Sequence, residues 1–281
     1  MESQKKYSPT FSFEFFPPKT PESMEKLRAT WKQLIQLKPR FFSVTYGAGG
    51  STRERTLEAV LEIQKDGGDS APHISCVGSS RAEIAATLAL YQAHGFRHIV
   101  ALRGDLPSGA ASAGELRHAN ELVEFIRQSS GDHFHIEVAC YPEFHPQART
   151  AHEDILAFKR KVEAGANAAI TQYFFNADSY FRFIDDCEAL GIAIPIVPGI
   201  MPINNFGQLA RFSDACGAEI PRWLRLKLAS FHDDLASIRS FGLDVVTELC
   251  DRLLSQGAPG LHFYTMNQAG LVSTIWQRLG L

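Results

Sequence analysis

Eight apolar runs of strand length alternate with longer segments whose apolar residues recur at helical spacing, and this rhythm limits what the chain can fold into. The runs are Phe11–Phe16, Phe41–Tyr46, Pro72–Val77, His98–Arg103, His135–Tyr141, Ala168–Phe175, Pro195–Ile200 and Leu261–Met266. Between them lie patterns such as Leu27, Trp31, Leu34 and Ile35, or Ile84, Thr87, Leu88 and Tyr91. Gly95, Gly165 and Gly191 mark helix ends a few residues before the next run. The runs are continuously apolar rather than alternating, which suits parallel strands covered on both faces. Eight strand–helix units predict an α/β chain, one (β/α)8 TIM-type barrel domain over residues 1–281. The alternative is a doubly wound open sheet, which would need fewer strands or a second domain. The longest departure from alternation, Asn204 to Gly257, has room for two or three extra helices before the last strand. The chain runs only about fifteen residues past the eighth run, so no regulatory domain is expected.

Composition excludes several classes. The net charge is −3 with no basic block, so nucleic acid is not an expected partner. The five cysteines are scattered and include no Cys-x-x-Cys pair, which argues against a disulfide framework or a zinc cluster and suits a reducing compartment. Residues 1–10 are polar, and no stretch approaches the ~20 apolar residues of a membrane span. A cytoplasmic protein without a membrane partner is expected.

Glu14 is the sharpest local feature. It is the only acid in the strand Phe11-Ser-Phe-Glu-Phe-Phe16, which Pro17 and Pro18 end at once. Desolvation there disfavours the carboxylate and should raise its pKa. The alternative is a charge that merely reaches out of the strand end. In a barrel, chemistry collects at the C-terminal strand ends. Here those ends read Glu14, Thr45 to Ser51, His73 to Val77, Arg103-Gly-Asp105, Tyr141-Pro-Glu143, Gln172 to Phe175, Pro198 to Pro202 and Tyr264 to Gln268. Two separated acids, Glu14 and Asp105, stand among amides, hydroxyls and flat apolar rings. That set suits a planar heterocyclic cofactor and proton-coupled chemistry. There is no nucleophile elbow. No metal set is expected, because the histidines read as isolated and His133 and His135 open a strand at the stability end of a barrel.

Three strings invite other readings. Gly47-Ala-Gly-Gly-Ser51 resembles a dinucleotide-binding loop but lacks the third glycine at the required spacing. Arg103-Gly104-Asp105 resembles an adhesion signal, yet it closes an apolar strand. Asp154, Arg160 and Lys161 form either a solvated helix face or a phosphate-holding group.

Phe-Glu-Phe-Phe-Pro-Pro in the first run, Ser-Val-Thr-Tyr-Gly-Ala in the second and Ala-Leu-Arg-Gly-Asp-Leu-Pro in the fourth carry a wider likeness. So do Tyr-Pro-Glu-x-His-Pro in the fifth and Ala-Ile-Thr-Gln-Tyr-Phe-Phe in the sixth, with Pro198-Gly-Ile-Met-Pro202 and His262-Phe-Tyr-Thr265 after them. In this order they resemble the bacterial methylenetetrahydrofolate reductase family over essentially the whole chain. The resemblance implies a (β/α) barrel that binds FAD and reduces 5,10-methylenetetrahydrofolate to 5-methyltetrahydrofolate, feeding methionine synthesis. Reduced nicotinamide would pass hydride to the flavin and leave before folate enters, a ping-pong sequence. NADH or NADPH fits equally, since no charged pair can be assigned to a 2′-phosphate. A homo-oligomer is expected.

Carried over by motif, Glu14 matches the general acid that protonates the leaving folate nitrogen. Asp105 matches the acid between flavin and pterin, which favours the cationic iminium, and Gln172 matches a pterin and nicotinamide contact. Thr45, Tyr46, Ala48, His73, Arg103, Gly104, Asp105 and Ala119 match flavin and ribityl contacts. Tyr141, His145, Ala148, Asp154, Arg160 and Lys161 match adenosine and diphosphate contacts. Gln208 and Phe212 match positions that touch nicotinamide or folate, although Phe212 read alone could be helix core. Two departures stand out. Ala157 replaces a frequent asparagine at an adenosine contact, and Gln268 replaces a frequent arginine that would pair with the folate glutamate tail. Two rival functions are a flavin barrel reducing another acceptor and a non-catalytic flavin-holding subunit. The intact Glu14, Asp105 and Gln172 set argues against the second.

Overall fold

The computed structural model describes residues 1–46, 52–105 and 114–281. In chain order the first elements are α1 (Glu2–Lys5), β1 (Thr10–Phe15), α2 (Pro21–Leu34), β2 (Phe41–Val44), α3 (Arg53–Lys65), β3 (Ser70–Ser75) and α4 (Arg81–Ala93). Then come β4 (His98–Leu102), α5 (Ala119–Ser130), β5 (His135–Cys140), α6 (Ala151–Glu163), β6 (Ala168–Thr171), α7 (Ala177–Ala189), β7 (Ile196–Val197) and β8 (Gly199–Ile200). The last are α8 (Phe206–Cys216), α9 (Arg222–Ser230), α10 (Leu235–Ser255), β9 (Gly260–Tyr264) and α11 (Gly270–Arg278). The excursion before the last strand thus contains three helices, α8 to α10.

The strand order is β7-β6-β5-β4-β3-β2-β1-β9-β8. Its two ends are the two halves of one predicted run, so the order is that of a TIM-type (β/α) barrel. The seventh run was expected to be one strand over Pro195–Ile200. Pro198 splits it because proline has no N–H for the ladder, although its carbonyl still accepts from the His262 N–H at 2.9 Å. A second difference is α1, which a polar N-terminus did not announce. Buried Gln4 fixes it there: its Oε1 accepts from the Ile196 N–H at 2.8 Å, and its Nε2 donates to the Ile194 carbonyl at 3.1 Å.

By internal contacts the chain forms two compact units. One comprises Ser12–Ala139 and Ala157–Ala169, and the other Met1–Phe11, Cys140–Leu156 and Ile170–Leu281. In the Ser12–Ala139 unit, β1 to β5 pair in parallel. Helix starts there follow their sequence signals: the Thr20 hydroxyl caps α2 and the Ser80 hydroxyl caps α4, each with a reciprocal bond from the residue three on. The expected helical patterns are buried, with Leu27, Trp31 and Leu34 in α2 and Ile84, Thr87, Leu88 and Tyr91 in α4.

The strands of this unit are two-sided. Phe13, Phe15, Phe42 and Val44 are buried on one face, where the Phe15 and Phe42 rings stack at 5.5 Å. Each such side chain contributes roughly 1.5–3 kcal/mol by leaving water. Register places Glu14 beside Ser43, Ser43 beside Ala71, His73 beside Val100 and Val100 beside Glu137. With a side-chain period of two, Glu14, Ser43, His73, Ser75 and Glu137 therefore share the opposite face.

Candidate active site

In the Ser12–Ala139 unit, Glu14, Thr45, Tyr46, His73, Arg103, Gly104 and Asp105 lie at or near the C-terminal ends of β1 to β4. Glu14 is held just before Phe15, and only 13 % of its side chain is exposed, so it does not reach out to solvent. His73, in β3, is 4 % exposed, and its Nε2 lies 3.4 Å from Glu14 Oε2. The sequence offered His73 as a flavin contact and gave no sign of this pairing, which depends on strand register.

Beyond the formal strand ends the backbone ladder continues. The Thr45 N–H donates to the Phe15 carbonyl at 2.9 Å, and the Val77 N–H to the Arg103 carbonyl at 2.8 Å. The Thr45 carbonyl accepts from the Thr56 hydroxyl at 2.8 Å, which ties this strand end to α3. Burial raises the pKa of the neighbouring Tyr46 phenol. Arg103 turns its Nε–H onto the Gly104 carbonyl at 3.1 Å. Gly104 has φ +82°, and a Cβ there would stand 2.9 Å from Ser75 Cβ and 3.0 Å from Val77 Cγ1. Only glycine fits that turn. Asp105 follows, exposed. Ala119 is the first residue of α5, whose start is drawn to the end of β3 by the Cys76 thiol, 3.8 Å from the His118 carbonyl. Lys161, in the same unit, donates from Nζ to the Ala139 carbonyl at 2.6 Å, while its neighbour Arg160 is exposed. A solvated face therefore describes Arg160 but not Lys161. Ala157, the departure at an adenosine contact, is an intermediate-exposure residue of α6. Ala48 lies outside the described residues.

Two buried hydroxyls on this face, Ser43 Oγ and Ser75 Oγ, have no protein hydrogen-bond partner. Sequence reading missed both, since serine in an apolar run carries no chemical signature by itself. A buried unpartnered hydroxyl costs about 1–3 kcal/mol, so its retention favours a polar ligand.

The second unit presents its own groups. Tyr141 and His145 meet ring to ring at 4.7 Å. The His145 N–H donates to Asp154 Oδ2 at 2.8 Å, and the Ala148 N–H to the His145 carbonyl at 2.9 Å, so these four predicted residues are linked locally between β5 and the first turn of α6. Gln172 directly follows β6, where its Oε1 accepts from the Tyr173 N–H at 3.0 Å. Next to it, Gly199 has no room for a Cβ, which would lie 2.2 Å from the Thr171 carbonyl oxygen and 2.6 Å from Tyr264 Cε2. Gln208 and Phe212 stand one turn apart on α8, and Phe212 is 38 % exposed, which removes it from the helix core. Gln268 is exposed and its Oε1 accepts from Asn204 Nδ2 at 3.1 Å. Arg239 donates to the Asn204 carbonyl at 3.4 Å, so a cation does stand near Gln268. Sequence reading also passed over Glu143. Burial raises its pKa although it accepts from the Glu219 N–H at 2.8 Å. No helix among the described residues is long and apolar enough to cross a membrane.

The chain as a whole is similar to known proteins. The family profile described as methylenetetrahydrofolate reductase matches residues 1–280. The 5,10-methylenetetrahydrofolate reductases of Salmonella typhimurium and Escherichia coli are each 41 % identical over 96 % of this chain and 90 % of their own length. A rice protein named probable methylenetetrahydrofolate reductase (NADH) is 37 % identical over 96 % of this chain and 48 % of its own. Among solved structures, a Clostridium thermocellum protein described as binding two copies of 5-methyl-5,6,7,8-tetrahydrofolic acid superimposes with a TM-score of 0.70. It is 16 % identical and covers 99 % of this chain and 96 % of its own, a likeness of fold. With its sequence matched from end to end, the chain belongs to the methylenetetrahydrofolate reductase family.

Proposed function

We propose that this enzyme reduces 5,10-methylenetetrahydrofolate to 5-methyltetrahydrofolate with NADH or NADPH as electron source and FAD as bound carrier, in a ping-pong sequence whose product feeds methionine synthesis. The observation that carries the reading is the shielded Glu14 carboxyl beside His73, in a chain of this family.

The residues present fit a flavin. The Ser43 and Ser75 hydroxyls are buried without protein partners and are left for a polar ligand. Lys161 and Arg160 supply positive charge suited to a diphosphate. Thr45, Tyr46, His73, Arg103, Gly104 and Ala119 would hold the ring and ribityl portion, and Tyr141, His145, Ala148 and Asp154 belong to the adenosine portion. When bound, FAD supplies the two-electron chemistry that links nicotinamide oxidation to folate reduction.

The chain's own groups do the rest. Glu14 gives a proton to the folate nitrogen that leaves as the imidazolidine ring opens. His73, with Nε2 3.4 Å from that carboxyl, is placed to orient it. Asp105 places negative charge where the opened folate becomes cationic. Gln172 offers Nε2 as a donor to a pterin or nicotinamide carbonyl, and Phe212 offers a stacking face.

The test is anaerobic. Purified protein should be yellow, be bleached by reduced nicotinamide and regain colour with methylenetetrahydrofolate. A protein that cannot be reconstituted with FAD, or that is reduced but never reoxidised by the folate, would overturn the reading.

A further inference from the structure

At the opposite ends of β4 and β5 lies a cluster that this function does not use. His98 opens β4, His135 opens β5, and register places them side by side. Glu137 follows two residues after His135, on the same face. Their ligand atoms all lie within 4.8 Å of one another, the one such group found among the described residues. His98 Nε2 is 3.0 Å from Glu137 Oε1. The two imidazole rings meet edge to face with centroids 4.8 Å apart and planes at 85°, so they do not stack over each other.

We propose that His98, His135 and Glu137 bind one divalent transition-metal ion of the zinc class, with water completing the coordination. Two imidazoles and a carboxylate form a donor set that zinc accepts. Tetrahedral bonds of ~2.0–2.2 Å place ligand atoms roughly 3.3–3.5 Å apart. The Glu137–His98 pair is already close to that. The remaining separation would close through a turn of the exposed His135 ring. Glu137 is buried, so a bound cation would offset the cost of holding its carboxylate away from water. Arg40 and Arg127 bear on His135 and oppose a cation. Arg127 is committed elsewhere, donating to the Gly131, Phe134 and Gly165 carbonyls and to Asn167 Oδ1. Neighbouring His133 is engaged as well, with Arg97 at 3.0 Å and with the Phe96 carbonyl at 3.0 Å. Such an ion would clip together two adjacent strands near their starts.

The experiment uses the whole chain after chelator treatment. Zn²⁺ is titrated calorimetrically at pH 7.5, and Co²⁺ is followed by visible absorption. The expected result is one equivalent bound, no thiolate charge-transfer band, and a melting temperature raised by Zn²⁺. His135→Gln, at an exposed position, should weaken binding by at least ~10–100-fold, as should Glu137→Gln. His133→Gln should leave it unchanged. Absence of saturable binding, a thiolate band, or equal affinity in His135→Gln would overturn the proposal and leave the His98–Glu137 contact as a simple brace. Since His135→Gln alters an exposed side chain, its result stands even if Glu137→Gln does not fold.

Discussion

The Nε2 of His73 lies 3.4 Å from the Oε2 of Glu14 and links two strands, β1 and β3, that are not neighbours in the sheet. The pair spans β2 on the polar face, above Ser43. It converts a solitary acid in a strand of phenylalanines into a positioned acid with a nitrogen partner. Removing its proton-donating ability should therefore affect one half of the reaction. In Glu14→Gln we predict normal flavin reduction by nicotinamide and folate-driven reoxidation slowed by ~10²-fold or more. Stopped-flow absorbance separates the two, and equal loss in both would make Glu14 structural.

Asp105 is exposed at the end of β4, and its proposed role is electrostatic. Asp105→Asn should slow the folate half-reaction and affect nicotinamide oxidation less, because only the former develops positive charge on the substrate. An unchanged folate rate constant would remove Asp105 from the mechanism.

The turn at Gly104 should be intolerant of a methyl group. Gly104→Ala combines φ +82° with a Cβ 2.9 Å from Ser75 Cβ, so we expect about 1–3 kcal/mol of destabilisation and weaker FAD retention. Chemical denaturation together with FAD titration measures both effects. A fully stable variant with normal FAD affinity would contradict the assignment of this turn.

Glu143 provides a prediction with pH. Its folded-state pKa is raised above 4.5 by burial, so its protonated form favours folding and that contribution is lost as pH rises past 4.5 through the higher folded value. Glu143→Gln should therefore melt higher than the parent near pH 8, and the difference should vanish below about pH 4. Melting curves across that range check the sign, and a variant less stable at pH 8 would reverse it.

Gln268 faces Asn204 and is exposed, with Arg239 nearby. Installing arginine there should tighten folate binding by only ~1 kcal/mol or less, with the gain shrinking as salt rises. Arg239→Ala in the parent should weaken binding by a similar amount. Both changes should appear in KM and leave kcat alone, because the tail lies away from the reacting carbon. No effect of either substitution at low salt would place the tail elsewhere.

Much of this fold was legible because strand runs and helical spacing are local. The apolar runs anticipated the strands to within a few residues, and the helix breaks at Gly95, Gly165 and Gly191 came with positive φ. Pro198 marked the split of the seventh run, yet a short apolar stretch around one proline reads as continuous. Contacts fixed by register were not legible. Glu14 with His73 and His98 with His135 are 59 and 37 residues apart in sequence, and only the strand pairing brings them together. Gln4 was invisible for a similar reason, since its value lies in backbone groups of residues 194 and 196.

Ser43 and Ser75 carry a consequence for engineering. Two buried hydroxyls without protein partners lower the stability of the ligand-free chain, and replacing them with alanine would make it more heat-resistant. A selection for thermal robustness alone would therefore drift toward apolar residues at these two positions. It would enrich well-folded variants that had lost their grip on the proposed flavin.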